Sequence, residues 1–371
     1  MSGPGPKDVV LVGGGHAHVH VLRALRAEPG VRVTLVTRDL VTPYSGMLPG
    51  VIAGLYAPVQ AHIDLAHLAV ATGAQLLHAE AIGLDRANKR VMVADGAPIP
   101  YDVASINVGI APALAPIAGA AEHAIAVKPI GSFLDKFDIL LARAGRPYGP
   151  RRIVVIGGGA GGVELLLSIR SRLMAQACAT AFSFALITDG EILATHNPRV
   201  RAAFRQIFAA RNIVTYEHAR ARAITADGVE LQNGEIIAAD AVLVTTDAAA
   251  PSWFSSTGLA LNVEGFLAVN AMLQSANDPD VFAAGDCAAL PSPREKAGVY
   301  AVRAGPALAA NLRRHVHGEP LQAWRPQRRH LALISTGERY AIGSRGVFKV
   351  EGAWVWTLKD WIDRRWMQQY R

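Results

Sequence analysis

The chain has 371 residues, 51% of them apolar, and its Lys and Arg outnumber Asp and Glu by 37 − 30 = 7. That length predicts two or three domains with well-filled cores, at roughly 100–200 residues each. The basic residues are dispersed and no nucleic-acid motif is present, so nucleic acid is excluded as the expected partner in favour of cofactor phosphates or a membrane surface. Cys178 and Cys287 lie far apart, which excludes a disulfide scaffold and fits a reducing compartment. Met1–Lys7 shows no secretory pattern, and no apolar run approaches the roughly 18–20 residues that span a bilayer. The expected location is the cytoplasm, at most against the inner face of the membrane.

In chain order, Val9–Val12 reads as a buried strand, followed by Gly13-Gly14-Gly15-His16-Ala17-His18 and a helix to Arg26. Gly30 stops that helix, and Val31–Val36 is a second, β-branched strand. Pro43, Gly46, Pro49 and Gly50 mark an irregular loop, and Arg90–Val93 and Val103–Val108 are further strands. A helix over Ser132–Ala144 leads to the linker Gly145–Pro150. The plan then repeats: strand Ile153–Ile156, Gly157-Gly158-Gly159-Ala160-Gly161-Gly162, helix Gly162–Leu173, strand Ser183–Thr188 and helix Asn197–Arg211. Strands follow at Ala221–Thr225, Val229–Leu231 and Ala241–Thr245. Val281–Ala284 and the helix Tyr300–Arg314 return to the first domain. Two strands, Leu331–Ser335 and Arg339–Ser344, turn at Thr336-Gly337-Glu338, and a Trp-rich helix closes the chain. The expected fold is α/β: two Rossmann-like dinucleotide-binding domains, the second inserted in the first, plus a small α+β C-terminal region. The expected boundaries are 1–113, 114–150, 151–261, 262–325 and 326–371.

The glycines carry the chemistry. In a βαβ unit the first permits a tight turn, the second lets backbone approach a pyrophosphate, and the third lets helix and strand pack closely. The phosphates then meet unpaired N–H groups at the positive helix end. Gly157, Gly159 and Gly162 satisfy all three positions; Gly13 and Gly15 satisfy two, with His18 at the third. A side chain there is expected to push helix from strand. At the ribose end of the second strand, where an acid is usual, the first unit has Thr37 and Arg38, with Asp39 one step on. The second has Asp189 after Thr188, with no arginine beside it in sequence. Asp189 then either binds the ribose of NADH, repelling a 2′-phosphate, or is an ordinary turn residue before Gly190.

Two fingerprints 157 − 13 = 144 residues apart, with Asp280-Val281-Phe282-Ala283-Ala284-Gly285-Asp286, resemble the two-dinucleotide flavoproteins. These are the pyridine nucleotide–disulfide oxidoreductases and type II NADH dehydrogenases. Gly13–His18 with Thr42–Gly50, and Lys359–Met367 near the end, further resemble a subfamily found alone or fused to the N-terminus of selenide, water dikinase. The resemblance implies FAD on Gly13, Gly15, His16 and Ala17, with Thr37 and Arg38 at the ribose end. It implies Asp286 on the ribityl chain, backbone approach at Gly285, and the loop holding Ser45, Gly46 and Met47 near the isoalloxazine. It places NAD(P)H on Gly157, Gly159, Gly162 and Asp189. It makes Lys128 a candidate for the flavin's polar rim and sets Glu164 facing the nicotinamide; alternatively Glu164 only complements its helix dipole. The family's Ala-Thr-Gly is replaced here by Thr245-Thr246-Asp247, where Asp247 crowds or charges the cofactor's approach.

The first 177 residues hold no cysteine, which excludes a dithiol relay in the first domain, and Cys287 reads as a small buried hydrophobe. His16, His18 and His20 fall where the pyrophosphate belongs, so no metal is expected. In the last helix Leu358, Ile362, Trp366 and Tyr370 form a stripe that lies either in a membrane interface, on the protein's own core, or on a second copy in a homodimer. The expected function is hydride transfer from NAD(P)H to FAD, then to a small acceptor such as a quinone. Alternatives are a selenium- or sulfur-linked reductase, and a flavin- or nucleotide-bound sensor without catalysis.

Overall fold

The computed structural model describes residues 5–112, 114, 116–175, 182–245, 248–327 and 329–371. Cys178 and Asp247 lie outside the described residues. The first unit is built from β1 (Lys7–Val12), α1 (His16–Ala24), β2 (Val31–Thr37), β3 (Gln75–His78) and β4 (Val103–Ile106). The second uses β5 (Ala124–Ala126), β6 (Arg152–Ile156), α2 (Ala160–Met174), β7 (Ser183–Ile187), β8 (Ile213–Tyr216) and β9 (Ala241–Val244). The chain then supplies β10 (Gln274–Ser275), β11 (Asp278–Ala283) and α3 (Gly298–Val316). Last come β12 (Ala332–Ser335), β13 (Ala341–Arg345), β14 (Phe348–Gly352) and α4 (Ala353–Met367).

The first sheet runs β10-β11-β4-β1-β2-β3 and is parallel except for the β10–β11 pair. Late strand β11 thus joins a sheet begun at residue 7. The second sheet runs β5-β9-β6-β7-β8 and is parallel throughout. Both faces of such sheets are covered, so the central strands are unbroken apolar runs rather than alternating ones. Val9–Val12 and Ile153–Ile156 are accordingly buried along their whole length. Each fully buried Val, Leu or Ile contributes about 1.5–3 kcal/mol. Each unit also carries a three-stranded antiparallel meander, at Ala81–Asp85, Arg90–Val93 and Ile99–Pro100 and at Ala221–Thr225, Gly228–Leu231 and Ile236–Ala238. The internal repeat therefore extends beyond the glycine turns.

In each parallel sheet the strand order reverses beside the central strand, between β1 and β4 and between β6 and β9. Ligands of open α/β sheets bind at such reversals, outside the carboxyl ends of the strands. Both glycine turns leave their sheets there.

The C-terminal region brackets the two units. Its sheet docks on the second: Ile334 and Ile342 are buried with Leu166 and Phe204 in that core. Its helix docks on the first, where Met367 and Tyr370 join the core of Leu11 and Leu22. The sequence reading placed two strands here and missed the third, β14, whose alternating Phe348-Lys349-Val350-Glu351 turns its apolar side chains, Phe348 and Val350, to solvent.

Candidate active site

The first glycine turn is closed by a residue that the sequence reading missed. Asn107, buried just after β4, accepts at Oδ1 from Ala17 N (3.0 Å) and His18 N (3.3 Å) and donates from Nδ2 to Ala284 O (2.6 Å). Its carbonyl accepts from Gly15 N (3.2 Å). One amide thus caps α1 and ties it to the turn before Gly285. Glycine is required around it: a Cβ on Gly15 would lie 2.4 Å from Asn107 Oδ1, and one on Gly285 (φ +78°) 2.5 Å from its Nδ2. A single polar residue after a buried strand carries no periodic signal, so only the fold exposes its role.

His18 does not act as a wedge. The neighbouring strand offers small Ser105, whose hydroxyl donates to Nε2 (2.9 Å), while Nδ1–H donates to Gly13 O (2.6 Å). Both ring nitrogens are satisfied in a fully buried slot. Loss of water holds this imidazole neutral, down to about 4. His16 packs edge-on to Tyr44 and against Trp366, each at 5.5 Å, and burial lowers it to about 4 as well. His20 lies at Gly305, where α3 crosses α1 closely. The three histidines therefore diverge.

This turn suits a dinucleotide. The N–H groups of Gly14 and His16 have no acceptor among the described residues, and His16 Nε2 is buried without a partner. Thr37 lies beneath Gly14 and spends its hydroxyl on Asp39 O (2.9 Å), while Arg38 pairs with Asp39 (3.3 Å) and Glu80 (3.6 Å). Asp286 follows Gly285 and pairs with Lys128 Nζ at 3.0 Å, bringing together two candidates 158 residues apart. Met47 is buried in the core, Ser45 faces Gly298, and the Gly46 carbonyl accepts from Lys359 Nζ.

Lys359 belongs to a network that the sequence reading divided between two motifs. It also pairs with Asp363 (2.7 Å), and Tyr56 O–H donates to Asp360 (2.6 Å), which accepts from Arg364 (2.8 Å). Trp366 stacks on Tyr44 at 4.3 Å. The loop after residue 42 and the last helix are thus one contact surface. Burial, then Asp363, pushes the Tyr44 phenol up. The stripe divides: Trp366 and Tyr370 dock on the protein's own core, whereas Ile362 faces outward, as do Trp354 and Trp361 of the same helix.

Glu164 lies beyond the first turn of α2, which contains no acid, so the dipole alternative fails. Its carboxylate accepts from Ser335 N at 2.7 Å, on the bracketing sheet. Removal from water pushes it up to about 7, with Lys359 pulling the other way. Cys287 is fully buried against Ile106 O and Ala284 O, and burial pushes its thiol up to about 12. A neutral, enclosed thiol is a poor nucleophile.

The second turn is tighter at its third glycine and more open at its phosphate face. A Cβ on Gly162 would meet Gly157 O at 2.0 Å, whereas one on Gly159 would meet nothing within 4 Å. Thr245 holds the place of Asn107, but its hydroxyl donates to Ile156 O (3.0 Å) rather than capping α2. The N–H groups of Gly158, Gly159 and Ala160 have no acceptor among the described residues. The glycines open onto a cavity of about 380 Å³ that reaches Asp189. Arg220 borders the same cavity. The sequence reading saw no arginine beside Asp189; the fold supplies one from 31 positions further on.

A family model, pyridine nucleotide-disulphide oxidoreductase, matches residues 7–313. The chain belongs to that family. Its members are oxidoreductases with FAD and NAD(P)H as cofactors. Ferroptosis suppressor protein 1 of Xenopus tropicalis is 26% identical over 205 residues, covering 52% of this chain and 53% of that protein. The match thus spans about half of that relative's length. An NADH dehydrogenase-like protein of Mycobacterium tuberculosis is 28% identical over 309 residues, covering 77% and 75%. The structure of sulfide:quinone oxidoreductase from Aquifex aeolicus superposes with a TM-score of 0.83 at 19% identity, covering 98% of this chain and 91% of that one, a likeness of fold.

Proposed function

We propose that this chain passes reducing equivalents from NAD(P)H in the second unit, through FAD in the first, to a small quinone-like acceptor, with no redox disulfide. Bound FAD supplies the two-electron carrier between the two substrates. The observation that carries the reading is the pair of glycine turns, each at a strand-order reversal and each with unpaired backbone donors. Gly13–Ala17 would hold one pyrophosphate and Gly157–Gly162 the other. Asp286 and Lys128 meet beside the first, placed to orient a ribityl chain and a polar ring edge. Glu164 keeps a proton at its carboxyl near neutrality and sits where the bracket joins both units, so it can donate to an acceptor that takes up electrons and protons together. Absence of cysteine before residue 178 and the enclosure of Cys287 favour direct transfer to the acceptor. The sulfide:quinone oxidoreductase of like fold names a quinone as acceptor.

A second reading has its own support. Two segments that resemble the selenide, water dikinase-linked subfamily touch through Lys359 and Gly46, and that resemblance is the ground for a selenium or sulfur compound as the alternative acceptor. Outward-facing Trp354, Trp361 and Ile362, with Arg365 over Trp361 (5.2 Å), further support peripheral contact with an anionic membrane. Among the described residues no helix is long and apolar enough to cross a membrane. The test is an acceptor panel. Flavin-loaded protein with NADH should reduce a soluble ubiquinone analogue faster than selenite or polysulfide; the reverse order would overturn the quinone assignment.

A further inference from the structure

The nucleotide cavity of the second unit does not stop at Asp189. A larger cavity of about 830 Å³ adjoins it, and both are bordered by Asp189, Ala219 and Arg220. Backbone bonds fix this junction: His218 N donates to Gly190 O (3.2 Å) and Ala219 N to Thr188 O (2.9 Å). Arg220 is therefore held one residue beyond a segment stitched to the turn that carries Asp189. The acids nearby are mostly spent. Glu217 accepts from Ile192 N (2.7 Å) and Arg205 (2.9 Å), and Glu191 pairs with Arg201 and Arg205. Glu235, which also lines the larger cavity, has no ion pair among the described residues, and neither does Arg220.

With a pyrophosphate on Gly157–Gly159, the adenosine ribose falls at the end of β7, beside Asp189. Its 2′ position then lies at the junction of the two cavities. An acid there accepts from a ribose hydroxyl, whereas an arginine accommodates a 2′-phosphate. We infer that Arg220 is a second specificity determinant, and that the chain takes both NADH and NADPH, Asp189 holding the first and Arg220 the second. The inference rests on the second glycine turn being the NAD(P)H site.

The two coenzymes differ at one group, so their fragments isolate it. Titration calorimetry on the full flavin-loaded chain would compare 5′-AMP with 2′,5′-ADP. The wild-type protein should bind both. Arg220→Gln should weaken 2′,5′-ADP by about tenfold and 5′-AMP by less than about twofold, and Arg220→Lys should recover part of the loss. Asp189→Asn should tighten 2′,5′-ADP and weaken 5′-AMP. Equal losses of both fragments in Arg220→Gln would show a contact to adenine or pyrophosphate and overturn the assignment, as would failure of the wild-type chain to bind 2′,5′-ADP while it binds 5′-AMP. Binding of neither fragment would instead remove the nucleotide-site reading beneath it.

Discussion

The two glycine turns share a motif and differ in how the protein completes them. In the first, a side-chain amide does the work of the missing third glycine: Asn107 caps α1, and His18 fills the gap between helix and strand with two hydrogen bonds. In the second, Gly162 lets the helix close directly on Gly157 O, and Thr245 bonds strand carbonyls while α2 stays uncapped. The first turn is therefore braced from within the protein, as suits a resident cofactor. The second keeps its backbone donors exposed over a cavity, as suits a coenzyme that arrives and leaves. The same fingerprint is completed differently by the residue after the neighbouring strand, Asn107 in one unit and Thr245 in the other.

Breaking the brace should have the largest effect. Asn107→Ala strands two α1 donors and the Ala284 carbonyl in a buried site, at about 1–3 kcal/mol for each group left unsatisfied. Purified variant should lose most of its flavin and unfold at lower denaturant, readable by absorbance and a urea titration; retained flavin at wild-type stability would break the comparison. Gly162→Ala strikes the other turn. Its Cβ cannot fit against Gly157 O, so NADH affinity should fall by about a hundredfold while bound flavin stays at the wild-type level.

Proton linkage separates the units more finely. His18 is lowered from 6.5 to about 4 on folding, so its contribution to stability is complete above pH 6.5 and is lost as pH falls toward 4. That amounts to about 3–4 kcal/mol, and His18→Gly should flatten the stability curve across this window. Glu164 runs the other way. Raised from 4.5 to about 7, it is protonated in the folded chain between those values, so acceptor reduction should decline as pH rises through 7, and Glu164→Gln should abolish that inflection. The smallest effect belongs to Cys287→Ala, which should leave turnover within about twofold and stability within about 1–2 kcal/mol, given that the thiol acts as a small packed group.

Much of the fold was legible in the sequence because parallel strands buried on both faces leave unbroken apolar runs, and because Gly157, Gly159 and Gly162 can only serve one kind of turn. Glu164 was singled out through its offset from those glycines, and Asp286 through the resemblance carried by Asp280–Asp286. What stayed hidden depends on long-range closure. Tyr56 meets Asp360 across 304 positions, and Arg220 reaches the Asp189 cavity only after an intervening helix and strand. Asn107 was illegible for another reason: its importance comes from four backbone partners, none of which leaves a mark on local pattern. The stripe of the last helix was visible in its spacing, but periodicity alone could not assign Trp366 to the core and Ile362 to the surface.

We propose that the two pockets serve one electron path. Its most direct test is an anaerobic absorbance titration of the flavin-loaded protein with NAD(P)H. Stoichiometric coenzyme should bleach the flavin fully in the wild-type chain, and the Gly162→Ala variant should bleach about a hundredfold more slowly under the same additions. A wild-type flavin that remains oxidised in excess NADH and excess NADPH would contradict it.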